Sequence, residues 1–523
     1  MSSRWMARMP YADGIGKVQQ VQFGGYFHSP AAQDGAIWDM ENMSARYAPL
    51  LATRGERRLW RKLDKPNGLY AHDGLYWVDG TTLYANGQAV GTVRDGKKQF
   101  VSLGAYIIIL PDMRYYQRMT GEFGELSASW SGGVRFADGE YAGVAAKGCA
   151  LISKSTEFPF RKGDAVTIAG TKENDKTIII REVSDDRKTL TFYENSFVVG
   201  EESAVTVSRE VPELRFACEN ENRLWGCDGD TIYASKPGDP FNFNVFDGIS
   251  TDSYAVTVGS AGDFTACASF MGYPCFFKEN LIYKVYGSKP SDFQVMGSAS
   301  LGVDEGSGFS PAAAGEVLYY LSRTGIMGYA GGIPQSVADA FGDVRYRDAV
   351  GGSDGRRYFV SMQDGEGAWH LFCYDTARNM WHREDGTHAV AFTYHNGLWM
   401  LTDDGRLWLM DGAEEIPADA VAEVQIPSMV EFGDFVEGSP NKKGTAKLQM
   451  RVELEAGASL AVYIMYDSDG VWHQVSTINT PIKRSYYLPM IPRRSDHFRI
   501  RLCGVGQWRM YSLTREHYAG SEL

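Results

Sequence analysis

The stretches Asp73-Gly74-Leu75-Tyr76-Trp77 and Asn396-Gly397-Leu398-Trp399 decide the reading of the fold. Each joins a dipeptide suited to the positive φ angles of a tight hairpin turn to an aliphatic and then an aromatic residue, which the next strand can bury. With gaps of zero to two residues the same phrase recurs at Asn67-Gly68-Leu69-Tyr70, Asp228-Gly229-Asp230-Thr231-Ile232-Tyr233, Glu279-Asn280-Leu281-Ile282-Tyr283 and Asp404-Gly405-Arg406-Leu407-Trp408. Recurrence at about 30 to 45 residues fits a four-stranded blade, and blades of this kind bury their faces by stacking on one another. The sequence therefore predicts a β-propeller.

Working outward, repeat units near 67–95, 98–126, 213–247, 262–297, 313–344, 354–386 and 388–412 give about seven blades. The phrase stops between 127 and 210. There the short β-branched runs Lys162 to Ile168, Lys176 to Ile180 and Lys188 to Phe192 predict an inserted small β-barrel or sandwich domain within the propeller of 61–126 and 211–415. From 416 to 523 the strands lengthen, and the period-two alternation of 446–454, 460–466 and 498–502 predicts a C-terminal β-sandwich. Residues 1–60 carry no repeat and read as an N-terminal arm. Its apolar residues Trp5, Phe23, Tyr26, Phe27 and Trp38 are candidate subunit-contact anchors, because the arm has no core of its own to bury them. The competing reading is that the arm adds the closing strand to the last blade.

Composition agrees with an all-β chain: 58 glycines and 13% aromatic residues accompany alternating apolar spacing, and the best helical stretch, 336–341, is barely one turn. A net charge of -13 argues against a protein that grips nucleic acid through its phosphates. An acidic wall also suits a conduit to which DNA must not adhere. The seven cysteines show no Cys-x-x-Cys pair, so neither a zinc site nor a disulfide framework is expected, although Cys218 with Cys227, or Cys267 with Cys275, could face each other across a hairpin. A reducing cytoplasm fits as the site of synthesis. No signal peptide or membrane span is expected, the longest apolar run being 106–110.

No catalytic, cofactor-binding or metal-binding residues are expected. The nine histidines occur singly, and His370 and His382 fall in adjacent predicted strands without convergent donors. Asp467-Ser468-Asp469-Gly470 resembles a calcium loop in composition but places its glycine at position four and Ile478 at position twelve, so a hairpin turn is the better reading. Thr402-Asp403-Asp404-Gly405-Arg406-Leu407-Trp408 differs by one position from the repeated turn of sialidase-like propellers. Trp77, Trp225, Trp399 and Trp408 follow turns and are expected to pack between blades rather than to serve as sugar platforms.

The segment from Glu213 to Gly342 resembles the β-propeller tail-nozzle, or packaged-DNA-stabilisation, proteins of tailed bacteriophages. The likeness rests on Asn222-Arg223-Leu224-Trp225, Ile232-Tyr233-Ala234-Ser235-Lys236-Pro237-Gly238-Asp239-Pro240-Phe241-Asn242-Phe243, the run from Phe276 to Gly287 and Leu318-Tyr319-Tyr320-Leu321-Ser322-Arg323-Thr324-Gly325-Ile326. Asp39-Met40-Glu41-Asn42-Met43, followed by Arg54-Gly55, is similar to the entry segment of such proteins. The resemblance implies a non-enzymatic virion protein of the tail or head-tail region, made in the host cytoplasm and needing no cofactor. Its implied partners are other copies of itself in a ring, six-fold by expectation, with portal, adaptor or other tail proteins, and double-stranded DNA passing without sequence-specific contact. The alternative is a carbohydrate-recognising, receptor-binding propeller at the tail tip, and a glycan-cleaving enzyme is the third reading.

Overall fold

The computed structural model describes residues 16–29, 32–438, 441–489 and 493–519. These form an all-β, multi-sheet architecture of forty-eight strands, with two single-turn 3-10 helices at Ala45–Tyr47 and Asp339–Phe341. No helix among them is long and apolar enough to cross a membrane. The chain divides into two compact units, Asn67–Gly308 and Met1–Pro66 with Phe309–Leu523.

In the first unit, four antiparallel meanders each pair their four strands in sequence order. Module I runs Pro66–Ala71, Leu75–Asp79, Thr82–Ala85, Gln88–Thr92, and module II runs Gln99–Leu103, Tyr106–Leu110, Arg114–Gln117, Phe123–Glu125. Module III is Phe216–Asn220, Arg223–Asp228, Thr231–Ala234, Tyr254–Thr257, and module IV is Ala266–Phe270, Tyr273–Lys278, Leu281–Tyr286, Gln294–Ala299. The turn phrases sit between strands of these meanders: Asp73 and Gly74 take φ of 49° and 140° ahead of the buried Leu75, Tyr76 and Trp77. Asn67-Gly68 is an exception, because both residues lie inside the first strand of module I rather than in a turn.

Neighbouring modules bury their faces together, which explains the unbroken apolar run Tyr106–Leu110. Ile107 and Ile109 join Tyr76, Val78 and Leu83 of module I in one core, whereas Ile108 and Leu110 join Leu214, Ala217 and Leu224 of module III in another. A strand with both faces covered has no solvent side and so no alternation. Burying such a side chain contributes about 1.5–3 kcal/mol.

Between modules II and III lies one seven-stranded sheet, whose central strands are Gly200–Arg209, Ala128–Tyr141 and Val144–Ser153. Its two end strands, Lys176–Ile179 and Glu182–Val183, are consecutive stretches of chain, yet no ladder joins them. Fourteen buried side chains, among them Trp130, Phe136, Phe158, Phe160 and Phe192, form its core. A buried ion pair anchors it: Arg209 donates to Asp164 and, through Nε and Nη2, to the Leu126 carbonyl, while Asn242 Oδ1 accepts the Ala165 N–H at 2.8 Å.

The second unit holds two further four-stranded sheets and one of five strands. Module V is Ala312–Ala314, Val317–Ser322, Gly325–Tyr329, Gln335–Ser336, and module VI is Tyr346–Ser353, Arg357–Asp364, Trp369–Asp375, Met380–Asp385. Module VII contributes only Ala389–Tyr394, Leu398–Thr402 and Arg406–Leu409 in sequence, and its fourth strand is Arg58–Lys62, which pairs Leu407 with Arg61 and Leu409 with Arg58. Val421–Ala422 extends that sheet beyond Arg58–Lys62.

The same unit ends in two sheets that share a core. The larger pairs Lys443–Leu454 with Trp508–Ala519 and Arg484–Leu488, and the smaller is built on Pro427–Phe432, Phe498–Val505 and Ser459–Tyr466. Alternation along Lys443–Leu454 is read directly in burial, with Leu448, Met450, Val452 and Leu454 inside and Lys447 and Arg451 exposed.

The segment 16–60, read from the sequence as an N-terminal arm, is taken up strand by strand into sheets of the same chain. Gly16–Gln20, Met43–Ser44 and Leu51–Thr53 belong to the larger terminal sheet, Ile37–Glu41 pairs with Pro427–Phe432 in the smaller, and Arg58–Lys62 serves module VII. A segment with apolar anchors and no repeat of its own has here found its core within the same chain. Trp5 lies outside the described residues.

Candidate interaction site

The motif Asp39-Met40-Glu41-Asn42-Met43 with Arg54-Gly55 builds the node at which the N-terminal segment meets module VI and the terminal sheets. Asn42, fully enclosed at φ 55°, donates from Nδ2 to the Pro427 carbonyl at 2.9 Å and from its backbone N–H to the Glu384 carbonyl at 2.5 Å. Its Oδ1 accepts Arg54 Nε at 2.6 Å. Asparagine tolerates this backbone region better than most side chains do, and its amide here bonds two distant segments of the same chain. Arg54 reaches on to Glu423 through Nη1 at 2.7 Å and Nη2 at 3.1 Å, and Arg57 donates to Glu384 at 2.5 Å and Asp385 at 2.7 Å. Both arginine side chains are 3% exposed. Burial pushes the Asp385 carboxyl up, but Arg57, Thr387 and Arg54 pull it further down, to about 2.

The described candidate anchors surround this node. The Tyr26 N–H donates to the Trp381 carbonyl at 2.6 Å, and its ring meets Phe372 edge-on at 5.3 Å. Phe23 packs edge-on against Phe432 at 6.3 Å, and Phe27 lies half-buried on the same core. Trp38 carries His28 on its ring at 4.0 Å and the Arg499 guanidinium at 5.2 Å. Phe23 and Tyr26 retain 3% and 6% of their surface, so contacts within the chain consume what a neighbouring subunit would need.

Two clefts open beside the node. One of about 510 Å³ is lined by Arg46, Tyr47, Arg58, Asp411, Glu455 and Gln507, and the other, of about 320 Å³, by Arg46, Arg356, Arg357, Asp375, Arg378 and His382. Three of their arginines are matched by acids, Arg357 by Asp354 at 2.7 Å and Asp411 at 3.0 Å, Arg378 by Asp375 at 3.1 Å and Arg356 by Asp375 at 3.6 Å, while Arg46 donates to Gln507. Burial lowers His382 to about 4 and raises the Cys373 thiol well above its ordinary value. At neutral pH the smaller cleft therefore presents a neutral imidazole, a protonated thiol and largely paired charges, a set that can hold a polar partner.

The remaining sequence candidates are placed individually. His370 and His382 do lie on paired strands, but His370 Nε2 sits 2.8 Å from Asp364 while His382 is buried. Trp77, Trp225 and Trp399 are buried between strands, with Trp225 set 6.5 Å from Phe276 of module IV. Asp467 and Ser468 form the hairpin turn between Ser459–Tyr466 and His473–Ile478, with φ of 51° at each. The three donors Asp467, Asp496 and His497 come together there, the one such group among the described residues. Their hydrogen-bonding capacity is turned inward: Asp467 accepts the Asp496 N–H at 2.9 Å, and His497 lies between Asp496 at 2.5 Å and Ser468 at 2.7 Å. The cross-hairpin cysteine pairs do not occur, because Cys218 faces Trp225 and Cys267 faces Phe276 in register.

Sequence reasoning missed the exposed apolar face of module IV. Tyr273 and Tyr286 lie with ring centres 4.8 Å apart, flanked by Met271 and Met296, which are 60% and 58% exposed. Leu281–Tyr286 pairs with Tyr273–Lys278 on one side and with Gln294–Ala299 on the other, which brings Tyr273, Tyr286 and Met296 onto neighbouring strands, with Met271 in the turn before Tyr273.

No protein-family model and no curated protein sequence matches the chain. Among solved structures it is similar to Raptor from Chaetomium thermophilum at 11% identity and a TM-score of 0.32, covering 68% of this chain and 30% of that one. It is also similar to an exo-β-1,3-galactanase from Phanerochaete chrysosporium at 8% identity and a TM-score of 0.21, covering 57% and 94%. The chain thus spans less than a third of Raptor, and likenesses this slight carry no argument about function.

Proposed function

We propose that this chain acts by binding rather than by chemistry: a seven-bladed β-propeller, with an inserted β-domain and a C-terminal β-sandwich, that recognises a surface carbohydrate as a component of a bacteriophage tail. The observation carrying the reading is the exposed Tyr273–Tyr286 pair with its methionine flanks, a face on which a sugar ring can stack. The propeller is supported by six four-stranded sheets and a seventh of five strands, by shared cores between successive modules, and by that seventh sheet being completed from the N-terminal segment. A glycan array probed with the purified full chain tests this. Binding to a defined set of glycans, abolished by Tyr273→Ala together with Tyr286→Ala, is expected, and an array without signal would refute it.

The second reading, a ring subunit of the tail nozzle lining the DNA exit channel, draws on the phage-like motifs and the net charge of -13. It requires contacts other than Phe23 and Tyr26. Mass photometry separates the two, since the nozzle reading predicts a closed oligomer and the receptor-binding reading is satisfied by a monomer.

A further inference from the structure

Cys218 and Cys267 belong to different modules, yet their sulfurs lie 3.1 Å apart. The approach is built by the fold. The first strands of modules III and IV run side by side, and the offset of 49 positions that brings Cys218 to Cys267 also brings Asn220 Nδ2 to Ser269 Oγ at 2.9 Å. Two successive same-face pairs fix the alignment, so the thiols meet through a register rather than through the swing of one side chain. On the other side of module III, Gln99 clamps Ala217 through both backbone groups at 3.0 and 3.2 Å, holding the Cys218 strand in place.

The two thiols differ in access. Cys218 is half-buried, whereas Cys267 retains 8% of its surface. Cys227 and Cys275, on the second strands, are buried and direct their sulfurs toward the Phe216 and Tyr273 carbonyls. We propose that Cys218 and Cys267 form an oxidant-addressed modification site, at which a low-molecular-weight disulfide closes a cystine between modules III and IV.

The exchange balances. The Cys218 thiolate attacks one sulfur of the external disulfide, releasing one thiolate and leaving a mixed disulfide on Cys218. The Cys267 sulfur, giving up its proton to that released thiolate, then attacks Cys218 Sγ and expels the second thiolate. Over the two steps the mixed disulfide forms and breaks, so the net change is one external S–S bond broken, one cystine formed, and two protons passed from protein thiols to the leaving groups. Burial and the neighbouring Cys218 hold the Cys267 thiol protonated, which assigns the first attack to Cys218 and makes the second step slow. The cystine would close a loop between residues 218 and 267 and so restrict the unfolded chain.

The test uses the full chain incubated with oxidised glutathione, followed by N-ethylmaleimide and peptide mapping without reductant. A single linked peptide joining Cys218 to Cys267 is expected, with two of the seven thiols lost and dithiothreitol restoring them. Cys267→Ser is expected to stall with glutathione on Cys218, and the oxidised parent is expected to unfold at a higher temperature than the reduced one. Seven free thiols after oxidation, or linkage of any other pair, would overturn the proposal.

Discussion

Arg57→Met isolates the buried charge node that ties the N-terminal segment to module VI. The Arg57 side chain is 3% exposed and Glu384 4%, with their atoms 2.5 Å apart, and Asp385 lies 2.7 Å from the other guanidinium nitrogen. Removing the arginine leaves Glu384 with Arg54 at 3.9 Å and Asp385 with Arg54 at 4.0 Å. Breaking a buried pair by deleting one partner costs about 3–5 kcal/mol. In a unit of this size that lowers the unfolding midpoint by on the order of 10 °C. The acid dependence supplies a second readout with a definite sign. In the parent, Asp385 is held at about 2, below its unfolded value, so its contribution of about 2 kcal/mol is complete above pH 4 and is lost as pH falls toward 2. In Arg57→Met the Asp385 carboxyl keeps the burial that raises it and loses the Arg57 charge that lowers it, so the folded variant takes up a proton more readily than the folded parent. The deficit relative to the parent therefore shrinks as pH falls from 7 to 5. Thermal melts of both proteins at pH 7, 6 and 5 measure this, and Arg57→Met with Glu384→Met is expected to recover much of the loss. A deficit below about 1 kcal/mol, or one that grows on acidification, would refute the reasoning.

Three other outcomes are expected. Between pH 6.5 and 4 the unfolded chain binds a proton that buried His382, lowered to about 4, refuses, so stability falls through that window by up to about 3 kcal/mol; His382→Gln should flatten this slope in urea titrations. A Cβ at Gly25 would collide with the Trp381 carbonyl oxygen, so Gly25→Val should raise hydrogen exchange and protease cutting across 16–29, with little change in modules I to IV. Asn242→Ala removes the acceptor of the Ala165 N–H and donors to Asp164 and Asp239, at a cost of about 1–3 kcal/mol, visible as faster exchange in Ala165–Ala169.

What the sequence made legible was local. Asp73-Gly74 and Asn396-Gly397 announce hairpins because turn chemistry and the buried aromatic lie within five residues, and the terminal strand Lys443–Leu454 declares itself by alternation. Asn67-Gly68 carries the same letters inside a strand, since the dipeptide permits a positive φ without requiring one. The partnership of the N-terminal segment with the terminal sheets was not legible, because pairing across distances such as the 453 positions between Gln507 and Arg54 leaves no local trace. The long inserted strand Ala128–Tyr141 escaped for another reason: register shifts at Gly132/Val134 and Ala137/Gly139 break its alternation. Nothing local marks Arg54 and Arg57 as buried, because Glu423, Glu384 and Asp385 lie 327 to 369 positions away in the chain. The cores flanking Tyr106–Leu110 show the converse, a run whose lack of period correctly signals burial on both faces.

The proposal that the modules are blades of one propeller, sealed by the N-terminal strand, is tested most directly by an experimental structure of the full chain. Seven blades about a single axis are expected, with Arg58–Lys62 as the fourth strand of the seventh, hydrogen-bonded to Arg406–Leu409. Modules V to VII set apart from modules I to IV as a separate body, or Arg58–Lys62 paired elsewhere, would contradict it.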